Sequence, residues 1–130
     1  MKRVTILAMF NTMASTVIGP LDIFFQAGVI WNYFQGKKLR PFFKTEIVTT
    51  DGKPCKCLNG TNISAHGSIH DAESTDLIIV SSILGIEKTI KYEGEALDWL
   101  KHHYALGTQI ASICTGAFVL AETGLLDGKT

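Results

Sequence analysis

The residue best suited to chemistry in this sequence is Cys114. It lies between a predicted strand, residues 108–113, and a predicted helix, residues 116–122. The small residues Ser112 and Gly116 flank it two positions to either side. This is the cysteine counterpart of the nucleophile elbow, in which a sharp turn projects the nucleophile outward and the helix start favours a thiolate. The alternative is a buried cysteine that packs as a small hydrophobic side chain.

Apolar runs and helix signals predict the elements that position this cysteine. Buried parallel strands are predicted over residues 4–10 and 76–80, because each run is short and almost continuously apolar, and a third parallel strand is predicted over residues 108–113. Helices are predicted from Gly19-Pro20 onward, with Gly28 on the apolar stripe, and over residues 93–106 and 116–122. Strands that alternate with helices require crossover connections. The predicted fold class is therefore α/β: a three-layer α-β-α sandwich with a mostly parallel, flavodoxin-like sheet and a nucleophile elbow.

Turn signals organise the middle of the chain. Residues 42–50 precede Asp51-Gly52, a strong hairpin signal, so residues 53–58 are predicted to return along that strand. Asn59-Gly60 marks a second turn. In open α/β sheets, functional groups lie beyond the carboxyl ends of the strands. The predicted site is therefore built from residues 11–20, 81–86 and 114–116.

Two segments resemble a known family. Residues 111–129, ASICTGAFVLAETGLLDGK, resemble the elbow segment of the ThiJ/PfpI branch of the class I glutamine amidotransferase-like superfamily. Residues 16–24, TVIGPLDIF, are similar to the first loop and helix of the same family. The resemblance is closest to the amidase-like N-terminal domains of AraC-type transcriptional regulators. It implies that residues 1–130 form one such domain, truncated at its C-terminus, with a DNA-binding helix-turn-helix domain beyond residue 130.

The resemblance also shows where this sequence departs from the enzymes of the family. They carry an acidic residue at the position of Thr16, and the protease-like members carry a histidine at the position of Thr115. Many have a glycine pair where this chain has Ser81-Ser82, and the backbone there forms the oxyanion hole. A thiol without a base and without oxyanion donors loses most of the acceleration of acyl transfer. The departures therefore favour a sensor over an enzyme.

The sequence as a whole predicts a small-molecule-sensing and dimerising domain of an AraC-family regulator, without catalytic activity. Its pocket is predicted to be lined by Thr16, Gly19, Ser81, Ser82, Cys114 and Thr115, with Cys114 at the nucleophile position. One alternative is a cysteine-dependent hydrolase or hydratase, of the isonitrile hydratase or amidase kind. Another is a degenerate interaction module with no ligand. The expected partners are an unidentified small-molecule effector and a second copy of the chain.

Composition restricts the other partners. Twelve basic and twelve acidic residues give a formal net charge of zero, so contact with DNA is expected only through the further C-terminal domain. No apolar run approaches the roughly 18 residues that span a bilayer, so no membrane contact is expected. Three cysteines, an odd number, fit a reducing compartment, and a cytoplasmic location is predicted.

No cofactor or metal site is predicted. The sequence has no phosphate-binding glycine motif. Cys55 and Cys57 lack the second cysteine pair that a zinc site needs, and His66 and His70 have ligand spacing only on a helix, which Gly67 disfavours. The pair His102-His103 is predicted to be a solvent-exposed cap at a helix C-terminus.

Overall fold

The computed structural model describes residues 1–72 and 74–130. Within them the elements follow in this order: β1 (Lys2–Leu7), α1 (Ser15–Gln26), α2 (Ile30–Phe34), β2 (Phe43–Thr49), β3 (Cys55–Lys56), β4 (Asn62–Ile63), β5 (Gly67–Ser68), β6 (Leu77–Val80), α3 (Ile86–Glu93), α4 (Glu95–Ala105), β7 (Gln109–Ser112) and α5 (Gly116–Thr123). The three predicted parallel strands are present as β1, β6 and β7.

A parallel sheet with the strand order β5-β2-β1-β6-β7 forms the centre of the described structure. Strand β1 lies in the middle, with Thr5 opposite Glu46 of β2 and Ile78 of β6. Residues 4–9 are buried because both faces of the sheet are covered at this strand. Strand β7 pairs with β6 alone among the described strands and forms one edge of the sheet.

Helices cover both faces of the sheet. On one face, α4 and α5 pack into a core through Leu100 and Val119. On the other face, α1 and the β3–β4 hairpin pack into a second core through Val17 and Ile63. The predicted α/β fold with a mostly parallel sheet is confirmed. Among the described residues, no helix is long and apolar enough to cross a bilayer.

The predicted hairpin between residues 42–50 and 53–58 is wrong. Strand β2 pairs in parallel with β1 on one side and with β5 on the other, so both of its edges are occupied. The Asp51 carboxylate accepts a hydrogen bond from the Lys53 N–H at 3.0 Å, which closes a local turn. The chain then forms a separate antiparallel hairpin, β3–β4, around the predicted turn at Asn59-Gly60.

The first helix begins at Ser15, earlier than the predicted start at Pro20. Its first turn is closed by the Thr16 N–H, which donates to the carbonyl oxygen of Met13 at 2.9 Å. Pro20 therefore lies inside α1, where it has no N–H for the carbonyl four residues earlier. Gly28 is not on an apolar helix stripe either: it follows the end of α1 with a φ of 77°.

Helix α3 is an element that the sequence pattern does not predict. Its residues, IEKTIKYE, are mostly polar or charged, and Thr89 is the buried one. Gly94 separates α3 from α4, so the helix predicted over residues 93–106 begins at Glu95. The two helices bring Glu93 to the carboxyl end of the sheet, where its carboxylate contacts the segments after β1 and β2.

Candidate functional site

Cys114 occupies the turn between β7 and α5. Its φ is 51°, a left-handed conformation that few residues other than glycine adopt, and its side chain is exposed. A Cβ placed on Gly116 would lie 2.6 Å from the carbonyl oxygen of Val80 and 2.8 Å from that of Ser81. Helix α5 therefore approaches the end of β6 so closely that glycine is required there. The chain turns sharply at Cys114, and the nucleophile elbow with its nucleophilic sulfur stays a prediction.

Hydroxyl groups join the three segments of the predicted site. The Thr115 and Ser82 hydroxyl oxygens lie 2.7 Å apart, and the Thr115 hydroxyl also donates to the Ile83 carbonyl oxygen at 2.7 Å. The Thr16 hydroxyl donates to the carbonyl oxygen of Met13 at 2.7 Å. The buried hydroxyls of Thr12 and Ser81 lie 2.8 Å apart beside them. We call these five residues the hydroxyl cluster: Thr12, Thr16, Ser81, Ser82 and Thr115. It ties the carboxyl ends of β1 and β6 to the Cys114 turn.

The same hydroxyls occupy the backbone N–H groups that an oxyanion hole would need. The Ser82 N–H donates to the Thr16 hydroxyl at 3.0 Å, and the Ile83 N–H donates to the Thr115 hydroxyl at 3.0 Å. The neighbouring N–H groups of Ser81 and Leu84 donate to backbone carbonyls at 3.3 Å. Residues 81–84 therefore present no free backbone donor in this structure, and a developing oxyanion would have to displace existing hydrogen bonds.

The structure brings the predicted ligand-binding residues together, but it does not expose them equally. Ser81 and Ser82 are buried, with 0% and 4% of their surface accessible. Cys114 is exposed, and Thr16 and Thr115 are half-buried. Gly19 lies one turn after Thr16 on α1, and a Cβ there would meet nothing within 4 Å. Ligand contact by these residues stays a prediction, with open space beside Gly19 and Cys114.

The sulfur of Cys114 has few polar neighbours. Within residues 1–72 and 74–130, no hydrogen bond reaches it and no carboxylate or imidazole is paired with it. The N–H groups of Gly116, Ala117 and Phe118, which the sequence suggests would face a thiolate, donate to carbonyl oxygens three residues earlier at 2.9–3.2 Å. Exposure is therefore the property that distinguishes this thiol.

The other two cysteines are buried in the second core. Burial raises the pKa of the Cys55 thiol to about 12, and the neighbouring Cys57 adds to the effect. The Cys55 thiol donates to the Met9 carbonyl oxygen at 3.1 Å. Burial also raises the pKa of Cys57. Both thiols pack as small apolar side chains, and the described residues contain no group of three ligands suited to a metal ion.

The histidines serve structural contacts. His66 accepts a hydrogen bond from the Ile47 N–H at 2.9 Å, and His70 lies 2.8 Å from the carboxylate of Glu95. The prediction that both His102 and His103 are exposed is wrong for His103. Its ring is buried against Trp99 at a centroid distance of 4.8 Å, and burial lowers its pKa. Helix α4 turns this residue toward the core together with Trp99, one turn earlier.

A cavity of about 660 Å³ opens beyond the carboxyl ends of β1 and β2. Its walls come from the segments after these strands and from helix α3. None of the six predicted ligand-binding residues lines it. The sequence pattern does not predict this cavity, because it places residues 53–58 in a hairpin arm and gives no signal for α3. The available signal was the pair of segments that follow β1 and β2, which parallel pairing places side by side.

The chain is similar to a known protein family and to several of its curated and solved relatives. The model of the DJ-1/PfpI family matches residues 2–130. The HTH-type transcriptional regulator CdhR of Pseudomonas aeruginosa is 30% identical over 67% of this chain and 25% of its own length. The isonitrile hydratase of Pseudomonas putida is 28% identical over 68% of this chain and 39% of its own length. A transcriptional regulator structure from Vibrio parahaemolyticus superposes with a TM-score of 0.76 and 25% identity, covering 98% of this chain and 64% of that one.

Proposed function

Because the chain belongs to the DJ-1/PfpI family and is similar to transcriptional regulators within it, we propose that it is the ligand-sensing and dimerisation domain of an AraC-family regulator. The chain spans about a quarter of the length of CdhR, so the activity of the whole protein is part of this proposal. In the proposal the small-molecule pocket lies beside Cys114, and the site does not turn over a substrate.

The observation that carries the non-catalytic role is the occupied backbone at residues 82 and 83. An acyl- or nitrile-type substrate develops negative charge that preorganised N–H groups must meet. Here the N–H groups of residues 82 and 83 already donate hydrogen bonds to the hydroxyls of Thr16 and Thr115. The hydroxyls are also poor proton acceptors near neutral pH, so they cannot replace a general base. The hydroxyl cluster thus favours binding over chemistry.

Recognition of DNA is assigned in this proposal to a further domain. The formal net charge of the chain is zero, and the elements described here include no recognition helix paired for a DNA groove. Regulators that bind paired half-sites do so as dimers, which gives the sensing domain its second role. A cytoplasmic location follows from contact with DNA.

A second candidate function is hydration or hydrolysis by Cys114. It is favoured by the similarity to isonitrile hydratase and by the exposed position of the sulfur. This function would require an acid near the sulfur and free donors at residues 82 and 83. Thr16 stands at the position of the acid, and the backbone donors at residues 82 and 83 are occupied by hydroxyls. We therefore rank the enzyme below the sensor.

Thr16→Asp distinguishes the two candidates. We expect the chain and this variant to show no hydration of isonitriles and no amidase or esterase turnover above that of Cys114→Ala. The carboxylate can accept the hydrogen bond from the Ser82 N–H, as the Thr16 hydroxyl does, so this donor stays occupied, although the hydrogen bond to the Met13 carbonyl oxygen is lost. General acid–base catalysis contributes about 100- to 10,000-fold, which makes a gain easy to detect. Thr16→Asn is the control, because asparagine has the shape of aspartate without its charge. Turnover that requires both the introduced carboxylate and Cys114 would overturn the sensor proposal.

Self-association is expected to involve the aromatic residues at α2. Trp31, Tyr33 and Phe34 are 68%, 70% and 73% exposed, an unusual concentration of apolar surface on a five-residue helix. Sedimentation velocity from low to high micromolar concentration should show a monomer–dimer equilibrium. The Trp31→Gln/Phe34→Gln variant should shift it toward monomer by about tenfold or more in Kd. Leu106→Gln, at another exposed apolar residue, is the control. A chain that stays monomeric at the highest concentration would contradict this role.

A further inference from the structure

The cavity beyond β1 and β2 has the size and composition of a small-molecule site. At about 660 Å³ it falls within the range of ligand pockets, and it combines apolar wall with a few polar groups. Phe10 and Pro54 supply apolar surface, and Glu93 supplies a carboxylate. Since neither Cys114 nor any member of the hydroxyl cluster lines the cavity, it is a separate place in the fold from the site described above.

Glu93 is the anchor of this cavity. Its two carboxylate oxygens accept hydrogen bonds from the Phe10 N–H at 2.8 Å and from the Thr50 hydroxyl at 3.0 Å. These contacts hold the carboxylate where the segments after β1 and β2 meet the end of α3. The side chain is half-buried, and burial raises its pKa. Because each oxygen has a second lone pair, the carboxylate can accept further hydrogen bonds from the cavity.

The charge of Glu93 is not compensated by the protein. No ion pair joins it to a lysine, arginine or histidine of the described chain. A half-buried carboxylate without a counter-ion is unfavourable, and an ammonium group in the cavity would supply the missing charge and the N–H donors. Glu93 therefore selects for a cationic group at the inner end of a ligand.

The exposed part of the lining carries more positive than negative charge. Lys53, Lys56 and Lys88 line it, beside Asp51 and a Glu95 that is paired with His70. The Lys88 ammonium lies 5.8 Å from the centre of the Phe10 ring, and no ion pair of the described residues joins it to Glu93. A ligand that was only cationic would meet the excess of lysines at the rim, and one that was only anionic would meet Glu93. A molecule with both charges fits both ends.

We propose that this cavity is a binding site for a small zwitterion, such as an amino acid or a dipeptide. Its ammonium group donates to the Glu93 carboxylate, and its acid group contacts the rim lysines. The apolar surface of Phe10 and Pro54 packs against the part between them. This site stands on the cavity and its charges and does not depend on the assignment of the chain as a regulator domain.

Calorimetry on the full chain tests the site with defined probes. The probes are the twenty common L-amino acids and the dipeptides Gly-Gly and Ala-Ala. For each binder, the amine without the acid group and the acid without the amine are measured beside it. We expect at least one zwitterion to bind saturably, and loss of either charged end to weaken binding by about tenfold or more. A panel in which nothing binds below about 10 mM, or in which the acid alone binds as well as the zwitterion, would overturn the proposal.

Variants locate the binding. Glu93→Gln keeps the shape of the side chain and removes its charge, and should weaken the zwitterion by about tenfold or more. Glu87→Gln, in the first turn of α3 and outside the cavity lining, and Cys114→Ala should bind as the unmodified chain does. If Glu93→Gln does not fold, the surface variant Lys53→Met/Lys88→Met decides, with a similar loss expected. Full affinity in a folded Glu93→Gln variant, or a loss in Cys114→Ala alone, would place the ligand elsewhere and refute the site.

Discussion

Iodoacetamide is expected to modify Cys114 roughly a hundred times faster than Cys55 or Cys57 at neutral pH. Cys114 is exposed at the end of β7, whereas the other two thiols are buried. Only the thiolate reacts, and burial raises the pKa of Cys55 to about 12, so its reactive fraction at neutral pH is very small. Quantifying the three alkylated peptides over time by mass spectrometry gives the three rates.

Two controls show whether the difference comes from the fold. In a high concentration of urea, the three cysteines should react at similar rates, because burial is lost. In the Cys114→Ser variant, the fast reaction should disappear and the two slow ones should remain. Modification of Cys55 or Cys57 ahead of Cys114 in the native chain would contradict the exposed turn.

Gly116→Ala should destabilise the fold by about 3 kcal/mol. The added Cβ would lie 2.6 Å and 2.8 Å from two backbone carbonyl oxygens of the strand end at Val80 and Ser81. These atoms belong to the central sheet and the hydroxyl cluster, so moving them would break hydrogen bonds of the sheet or of the cluster. Urea unfolding followed by circular dichroism measures the change in the free energy of unfolding.

Gly19→Ala is the matched control for this substitution. Gly19 lies within α1, and a Cβ there would meet nothing within 4 Å. Alanine in a helix is more favourable than glycine by about 0.5–1 kcal/mol, but the ring of Pro20 disfavours a Cβ on the residue before it, so the two effects oppose each other and this variant should change stability much less than Gly116→Ala. If both variants changed stability equally, the close approach of α5 to β6 would not be the cause.

The parts of the fold that the sequence predicts are those decided by local pattern. The runs that form β1 and β6 are short and apolar because these strands are largely buried between the two helix layers, and the segment that forms β7 is placed by the elbow motif that follows it. The turn at Cys114 is equally local, since the small residues beside it and the helix after it are adjacent in sequence. Both predictions used only neighbouring residues.

The wrong predictions concern elements whose position is set by distant partners. Asp51-Gly52 is a strong hairpin signal, but β2 already has β1 and β5 as partners, so the chain after it pairs elsewhere. Helix α3 is largely polar, and its place depends on contacts such as the one between Glu93 and Phe10, 83 residues apart. No periodicity in the sequence reports such a contact.

The candidate site also has a part that the sequence predicts and a part that it does not. That Thr16, Ser82 and Thr115 lie together follows from the rule that strand ends meet at one edge of a parallel sheet. The sequence does not show that their hydroxyls form hydrogen bonds with one another and with the backbone N–H groups of residues 82 and 83. Hydrogen-bond satisfaction depends on side-chain rotamers and backbone direction, which residue types alone do not determine.

The position of β7 at the edge of the sheet links assembly to access. Its outer N–H and C=O groups are not used by any described strand, so they can pair with an additional strand from the same or another chain. Such a strand would end beside the turn that carries Cys114, because strands in a sheet lie only about 5 Å apart. Whatever completes this edge would therefore also form a wall around the sulfur. The chemical environment of Cys114 therefore depends both on the fold described here and on the strand that pairs with β7.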